Sequence, residues 1–328
     1  MKAVQITAPN VLEIVELPRP KPAADQVLLQ IKASGLCHTD LNILEGKFHA
    51  HYPIIPGHEF AGKVVAVGED ADPGWMSKYA VVDPNVPCGR CSACRTNRQN
   101  QCENLDAYGV TIPGGFAEYA AVKEANLYPL GNLSLEQAVF AEPLGCVLHG
   151  LNQIPSYQGG RALVFGAGPM GLLMMQSLKF KGIVSVSVVD LHRERLARAE
   201  KLGASKTYQA AEQEKLKERF DVVVDATGVA GVIARLPGYT ATSGSILYFG
   251  VAAPGDKVEI EPYDIYRRDI RIAGSFSLKA GIAPALKLLQ SGLVEAEELL
   301  THKIKLEQFG EAIKLVGRAS VLKVVVQD

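Results

Sequence analysis

The sequence predicts an α/β protein in two parts: a β-rich N-terminal part and a doubly wound parallel sheet. Short apolar stretches separated by Pro, Gly and Asp occupy the first part at 11–15, 27–31, 63–67 and 79–82, a pattern typical of strands joined by turns. After about residue 145 strand and helix patterns alternate, which favours a parallel sheet covered by helices on both faces. The length of 328 residues suits two domains.

Each element of the second part follows from its own residue pattern. We predict strands at 161–165, 184–189, 221–224, 245–249 and 270–273. We predict helices at 169–181 and at 191–202, the second one ended by Gly203. The last fifty residues predict two further helices at 282–290 and 306–316 and a final strand at 321–326.

The composition excludes some classes of function. Apolar residues make up 48% and charged residues 21% of the chain, and the formal net charge is −1. A chain this neutral has no global electrostatic attraction to nucleic acid or to an anionic membrane. The first residues lack the apolar core of a signal peptide, and no uninterrupted apolar run is long enough to span a bilayer. We therefore expect a soluble, cytoplasmic protein.

Four of the six cysteines lie close together, with the spacing C-x₂-C-x₂-C-x₇-C. They are Cys88, Cys91, Cys94 and Cys102. Cytosolic thiols stay reduced, so a metal explains this cluster better than disulfides do. Four thiolates complete a tetrahedral zinc site with no position for substrate, which predicts a structural zinc ion.

A glycine-rich motif, G-x-G-x-x-G, directly follows the predicted strand 161–165 and opens the helix that begins at Pro169. Its binding residues are Gly166, Gly168, Pro169, Met170 and Gly171. The motif alone is weak in a chain with 31 glycines, but its place between a strand and a helix supports it. The glycines permit a tight turn and close approach of the pyrophosphate, which predicts a Rossmann dinucleotide site.

The cofactor is predicted from the end of the second strand. Asp190 stands there, and a carboxylate at this place accepts hydrogen bonds from ribose hydroxyls and repels a 2′-phosphate, which favours NAD over NADP. The alternative is that Asp190 only caps the next helix. Arg193 lies close enough in sequence to contact the cofactor and to leave NADP as a minor option.

Three further motifs are dispersed along the chain. They are Cys37-His38-Thr39-Asp40, Gly57-His58-Glu59 and Glu142-Pro143-Leu144. Spacing alone does not connect them, since single histidines and cysteines are usually ordinary core or surface residues. Pro143 also fits the first turn of a helix, so Glu142 has an alternative role as a carboxylate at a helix N-terminus.

The order and spacing of all these motifs resemble the medium-chain zinc-dependent alcohol dehydrogenases over essentially the whole chain. Glu142-Pro143-Leu144 followed by His149 is most similar to the sorbitol/polyol dehydrogenase branch. The resemblance implies a GroES-like catalytic domain at 1–144, completed by 279–328, and a Rossmann NAD-binding domain at 145–278. It also implies two zinc ions per chain, a small alcohol or ketone substrate, and a homodimer or homotetramer.

The resemblance also assigns roles to residues. Cys37, His58, Glu59 and Glu142 resemble the catalytic zinc site, in which Glu59 is the carboxylate that can ligate or release the metal. Asp40 resembles the acid that orients the zinc-bound histidine. The remaining two assignments are Thr39 as the hydroxyl that relays the alcohol proton and His38 as the basic residue near the pyrophosphate. The implied reaction is hydride transfer from a secondary alcohol or polyol to NAD.

The sequence departs from the family pattern at three places. The stretch 75–80 lacks the usual Gly-Asp pair of a hairpin, which must turn differently. Asn42 stands where some members end the proton relay with histidine, which leaves water, His49 or His51 for that role. Residues 274–278 replace the Arg-Tyr pair that sorbitol dehydrogenases present to the polyol, which weakens an assignment to sorbitol itself.

Two other classes compete with the enzyme hypothesis. One is a zinc-free, quinone-reductase-like or NAD(P)H-binding protein of the same fold, which has no need of the set Cys37, His58, Glu59 and Glu142. The other is a zinc module that binds a protein or nucleic acid, which the neutral charge and the dinucleotide motif disfavour.

Overall fold

The computed structural model describes residues 1–48 and 50–327, apart from the side chains at 214 and 215. The chain divides into two compact units, one formed by Met1–Gly145 with Lys279–Asp328 and the other by Cys146–Leu278. No helix of the described residues is long and apolar enough to cross a membrane.

The first unit contains most of the strands in the N-terminal half. Its strands before the second unit are β1 Lys2–Ala8, β2 Val11–Glu16, β3 Gln26–Leu36, β4 Glu59–Val67, β5 Tyr79–Val82, β6 Asn85–Val86, β7 Asp106–Ala107, β8 Tyr119–Lys123 and β9 Leu127–Pro129. Its helices there are α1 His38–Leu44, α2 Ser92–Arg95, α3 Leu135–Ala138 and α4 Ala141–Leu151, the last of which runs on into the second unit.

The second unit alternates strands with helices. The strands are β10 Gly160–Phe165, β11 Ile183–Asp190, β12 Lys206–Gln209, β13 Phe220–Asp225, β14 Thr240–Tyr248 and β15 Arg271–Gly274. The helices are α5 Pro169–Ser177, α6 Arg193–Lys201, α7 Ala230–Ile233, α8 Leu236–Tyr239 and α9 Pro262–Arg267. The chain then returns to the first unit with α10 Ile282–Gln290, β16 Leu300–Ile304, α11 Phe309–Ala312 and β17 Lys323–Val326.

The main sheet of the first unit has the order β16-β17-β3-β4-β5-β9, and β8 pairs with β3. β3 is central because its long apolar run is buried along most of its length. Its C-terminal end lies between β17 and β4, with Gly35 opposite both Val325 and Glu59. The C-terminal strand is therefore an integral part of the N-terminal sheet.

The sheet of the second unit is entirely parallel and has the order β12-β11-β10-β13-β14-β15. Its central strands bury nearly every residue, as strands covered on both faces do. The chain adds β11 and β12 on one side of β10 and β13 to β15 on the other, so the strand order reverses between β10 and β13. Open α/β sheets bind ligands beyond the strand ends at such a point. The predicted doubly wound sheet and β-rich part are confirmed.

Several predicted boundaries differ from the structure. The helix expected at 169–181 ends at Ser177 and continues as a 3₁₀ turn to Lys181, where Gly182 adopts a φ of 82° that ends it. The helix expected at 306–316 is one α-helical turn, α11, between two 3₁₀ turns. The stretch after residue 72 turns through a 3₁₀ segment at Pro73–Trp75 and a left-handed Ser77.

Candidate active site

The four-cysteine cluster lies on a lobe between β6 and β7, two short strands that pair with each other. All four sulfur atoms lie within 4.8 Å of one another, and the Cys91 and Cys102 Sγ atoms are 3.8 Å apart. The backbone N–H of Cys88 donates to the sulfur of Cys102, and that of Cys94 donates to the sulfur of Cys91. All six cysteines are free thiols, so the lobe is not closed by disulfides.

The surroundings shift the pKa values of two of these thiols in opposite directions. Backbone N–H donors, that of Cys94 foremost, lower the pKa of Cys91 to about 6. Removal from water raises the pKa of Cys94 to about 12. The four sulfurs converge within 4.8 Å of one another, which suits a divalent cation that would hold all of them as thiolates.

The second cluster brings together residues from the ends of β3 and β4. Ligand atoms of Cys37, His58 and Glu59 all lie within 4.8 Å of one another. Cys37 follows β3 and stands at the N-terminus of α1, while Glu59 begins β4. The two strands are antiparallel neighbours, so the end of β3 and the start of β4 meet at one edge of the sheet.

Asp40 fixes the backbone of this cluster from a fully buried position. Its carboxylate accepts the N–H of Cys37 at 2.9 Å and the N–H of Gly57 at 3.1 Å. Its Oδ1 also lies 3.6 Å from Nδ1 of His58, a buried ring nitrogen without a hydrogen-bond partner among the described residues. Asp40 thus holds the loops that carry Cys37 and His58 and supplies negative charge beside the imidazole.

Neighbouring charges determine the direction in which the pKa of the His58 imidazole shifts. Burial by itself lowers the pKa of His58, but the charges of Asp40 and Cys37 outweigh it and raise that pKa well above its ordinary value. A site that attracts a proton so strongly also attracts a metal cation, which must displace that proton to bind.

Lys323 is a residue of this site that the sequence analysis missed. Its ammonium contacts both carboxylate oxygens of Glu59, at 2.8 and 2.5 Å, and both side chains are almost fully buried. Burial lowers the pKa of Lys323, but Glu59 and Cys37 raise it more, with a further contribution from Glu142. The available signal was a single lysine in the otherwise apolar run at 321–326.

Glu142 lies close to this charge but outside the tight cluster. It is in the first turn of α4 and is 8% exposed. Among the described residues, the group of ligand atoms within 4.8 Å includes Cys37, His58 and Glu59 and does not include Glu142. Its role as a zinc ligand stays a prediction.

The residues predicted around the zinc chemistry lie on α1 and the following loop. The Thr39 hydroxyl lies 3.7 Å from the sulfur of Cys37. His38 is exposed at the first position of α1, and His51 is exposed in the loop beyond it. His49, the other histidine considered for the relay, lies outside the described residues.

In the second unit, the glycine-rich motif forms the turn between β10 and α5. Gly166 has a φ of 102°, which side chains other than glycine rarely adopt. A Cβ on Gly171 would lie 1.9 Å from the carbonyl oxygen of Gly166, so the helix packs directly on the turn. Gly168 precedes the helix, and Pro169 and Met170 form its first two residues. The helix N-terminus therefore points its amides at the end of β10.

Asp190 ties this turn to the next strand. Its Oδ2 accepts the N–H of Ala167 at 2.7 Å, and its Oδ1 accepts that of His192 at 2.8 Å. Since α6 begins at Arg193 and its N-cap His192 makes no side-chain cap, Asp190 holds the glycine turn rather than capping α6 in the usual way.

Two arginines of α6 differ in position. The guanidinium of Arg193 donates to Gln209 at 3.2 Å. Nη1 of Arg195 lies 4.0 Å from the place that a Cβ on Gly168 would occupy. Arg195 was not predicted, because sequence distance from Asp190 does not tell which residue of a helical turn faces the glycine loop.

Comparison with known families places both units. Residues 23–132 match the alcohol dehydrogenase GroES-like domain, and residues 169–291 match the zinc-binding dehydrogenase domain. The chain is 38% identical to D-altritol 5-dehydrogenase of Agrobacterium fabrum, with 94% of each chain covered. It is 35% identical to D-arabinitol dehydrogenase 1 of Uromyces fabae, with 100% of this chain and 97% of the relative covered.

Solved structures agree with this placement. A protein described as a zinc-binding dehydrogenase from Sinorhizobium meliloti, bound to NADP, has a TM-score of 0.96 and 30% identity, with 100% of this chain and 99% of that one covered. An alcohol dehydrogenase from Escherichia coli complexed with NADH has a TM-score of 0.94 and 28% identity over the same shares. The chain belongs to the zinc-dependent medium-chain alcohol dehydrogenase family. It is an oxidoreductase that uses zinc and a nicotinamide dinucleotide.

Proposed function

We propose that this protein oxidises a secondary hydroxyl of a pentitol or hexitol to the ketose with NAD and catalyses the reverse reduction. The observation that carries the proposal is the buried cluster of Cys37, His58 and Glu59, whose sulfur, nitrogen and oxygen donors lie within 4.8 Å of one another. The substrate class is supported by two relatives that cover nearly the whole chain, which are named for D-altritol and D-arabinitol.

The donor set fits a catalytic zinc ion. Cysteine, histidine and carboxylate ligands are those of catalytic zinc sites, which keep one position for substrate. The imidazole beside Asp40 also matches the carboxylate–histidine arrangement found around bound zinc. We propose Cys37, His58 and Glu142 as ligands, with Glu59 as the carboxylate that can join or leave.

The reaction combines cofactor chemistry with groups of this chain. When bound, zinc would supply a Lewis acid that lowers the pKa of the substrate hydroxyl, and NAD would supply the hydride acceptor. Thr39 accepts the hydroxyl proton and passes it to water or to a histidine of the following loop. Asp40 keeps Cys37 and His58 in place through the backbone N–H groups that it binds.

The four-cysteine lobe is proposed to hold the second zinc ion. Cys88, Cys91, Cys94 and Cys102 fill all four tetrahedral positions, so this ion has no place for substrate and stabilises the lobe. Each chain then holds two zinc ions with separate roles.

The cofactor preference is proposed to depend on Asp190. Gly166, Gly168, Pro169, Met170 and Gly171 would bind the pyrophosphate. Asp190, which holds the glycine turn through the N–H of Ala167, would accept hydrogen bonds from the ribose hydroxyls. A carboxylate there repels a 2′-phosphate, which favours NAD. Arg193 and Arg195 of α6 supply positive charge near Asp190 and the glycine turn. We propose that His38 contacts the pyrophosphate.

The domain limits and the assembly also remain proposals. We assign 1–144 and 279–328 to the catalytic domain and 145–278 to the NAD-binding domain. We also propose a cytoplasmic location, where cysteine thiols stay reduced. A homodimer or homotetramer is supported by the exposed edge strand β15 and by Tyr263 and Tyr266, which are 66% and 77% exposed on α9. An edge strand of this kind can extend a sheet across a two-fold axis.

One assay tests the proposal. Purified zinc-loaded protein is offered secondary alcohols, diols, pentitols and hexitols with NAD and with NADP, and kcat/KM is compared. We expect the highest value for a pentitol or hexitol with NAD, and Asp190→Ser should narrow the difference between NAD and NADP. Activity restricted to simple alcohols would contradict the substrate class, and an unchanged cofactor ratio in Asp190→Ser would limit Asp190 to holding the glycine turn.

A further inference from the structure

The buried ion pair between Glu59 and Lys323 reaches across three strands. Glu59 is on β4 and Lys323 is on β17, and the end of β3 separates them. Gly35 of β3 is opposite Glu59 on one side and opposite Val325 on the other. Lys323 shares a strand face with Val325 because alternate residues of a strand point the same way. The Glu59 side chain therefore crosses β3 at Gly35 to reach the ammonium.

Gly35 leaves the space that this crossing needs. A Cβ at position 35 would lie 2.1 Å from Oε2 of Glu59 and 3.3 Å from its Cβ. Gly35 is not among the residues with positive φ, so the backbone conformation does not require glycine here. Glycine weakens a strand interior and often marks a close approach of another group. At this position the group is the Glu59 carboxylate.

The same pair touches the proposed metal site. A ligand atom of Glu59 is within 4.8 Å of ligand atoms of Cys37 and His58, yet both carboxylate oxygens contact Lys323. A carboxylate held in this way has its charge satisfied by an ammonium. Without the ammonium, the buried negative charge would need another cation.

We infer that Gly35 and Lys323 are positioning residues that favour the released position of the Glu59 carboxylate, away from the catalytic metal, and so keep one metal position open to substrate. The inference rests on the proposed metal site at Cys37 and His58. Lys323 supplies the opposing charge, and Gly35 supplies the passage. Loss of either one lets Glu59 occupy the open position.

Cobalt(II) replacing zinc gives a readout other than turnover. Imidazole, a neutral ligand that needs an open position, changes the visible spectrum of the cobalt protein only at a site with such a position, because the four-cysteine site is closed. Imidazole titrations are run on wild type, Lys323→Met, Glu59→Gln and the double variant Glu59→Gln/Lys323→Met.

We expect Lys323→Met to bind imidazole at least about ten-fold more weakly than wild type, because the freed carboxylate competes for the metal. Glu59→Gln/Lys323→Met should return to within about three-fold of wild type, since a neutral amide competes poorly and a pair removed together leaves no buried charge. Wild-type affinity in Lys323→Met, or a double variant as weak as Lys323→Met, would overturn the inference.

A second pair of variants covers the case in which Lys323→Met does not fold. Gly35→Ala leaves both charges in place and fills only the passage, so it should also weaken imidazole binding. Gly35→Ala/Glu59→Ala should recover, because the side chain that collides with the new methyl group is gone. Gly310→Ala is the control, since a Cβ at Gly310 meets nothing within 4 Å. Equal affinities in Gly35→Ala and Gly310→Ala would contradict the role of Gly35.

The two proposals fail in different ways. If imidazole leaves the spectrum of wild-type cobalt protein unchanged, the metal site itself is wrong. If wild type responds and Lys323→Met and Gly35→Ala respond with the same affinity, the metal site stands and only the positioning role is wrong.

Discussion

The two candidate metal sites found among the described residues are built in opposite ways. The four-cysteine cluster uses one kind of donor and comes from residues 88–102 alone, on a lobe outside the main sheet. The mixed cluster takes Cys37, His58 and Glu59 from two strand ends and is backed by Lys323 from the last strand. The first site depends on local spacing, whereas the second depends on the whole sheet.

Their surroundings differ as well. The four-cysteine cluster is satisfied by backbone N–H groups and by its own sulfurs. The mixed cluster lies between a buried carboxylate, Asp40, and a buried ammonium, Lys323. Buried charges that face a cluster of ligands are costly unless they serve binding or chemistry. Four protein donors therefore indicate a closed, structural site. A cluster placed between buried charges of opposite sign indicates a site for chemistry.

The largest expected effect comes from Cys91→Ser. Removing one of four thiolates should release the structural zinc and lower the free energy of unfolding by at least about 3 kcal/mol, because metal binding contributes to folding in closed sites. Metal analysis and urea unfolding measure this, with Cys146→Ser as the control because Cys146 belongs to neither cluster. A stable Cys91→Ser protein with full zinc content would remove the distinction between the sites.

Asp83 tests how the lobe is anchored to the sheet. Its Oδ1 accepts the N–H of Asn85, the first residue of β6, and burial raises its pKa from 3.8 to about 6. Between these values the folded chain holds a proton that the unfolded chain has lost, so the contribution of Asp83 to stability falls as the pH rises from about 4 to 6.

We therefore expect Asp83→Asn, relative to wild type, to gain about 2 kcal/mol of unfolding free energy between pH 4.5 and 7.5. The comparison uses urea unfolding of both proteins across that range. A constant difference between the two proteins would mean that the carboxyl group titrates normally and is not buried as described.

Glu142→Gln tests the mixed site of the comparison. If Glu142 is a zinc ligand, the neutral and isosteric glutamine should lower turnover by at least about ten-fold, or about 1.4 kcal/mol of barrier, and weaken zinc retention. Glu136→Gln is a matched control, since Glu136 has the same position in the first turn of α3 and pairs with Lys303 on the surface. Near-normal turnover with both zinc ions retained would restrict Glu142 to its place at a helix N-terminus.

The sequence predicted the parts that depend on local order. The cysteine spacing, the glycine motif after β10 and the alternation of the second unit are each contained in a short stretch, and the structure has all three. Helix ends were less accurate, as at Ser177, because the change from α to 3₁₀ depends on packing rather than on composition.

Contacts between strands that are distant in the chain could not be predicted from the sequence. Nothing in the run at 321–326 tells that its lysine meets Glu59, because that contact requires β17 to pair with β3 and Gly35 to leave a gap. The same limit applies to Arg195, whose approach to the glycine turn depends on the rotation of α6. The resemblance to the family indicated the proposed ligands but not the residues that position them.

Zinc content is the most direct test of two sites with different roles. Zinc per chain is measured by atomic emission in wild type and in His58→Ala, after dialysis against metal-free buffer. We expect two zinc ions in wild type and one in His58→Ala, with a folded protein in both cases and no detectable NAD-linked turnover in the variant. One zinc ion in wild type would leave only the four-cysteine site, no zinc would point to a zinc-free relative, and two in an active His58→Ala would contradict the mixed site.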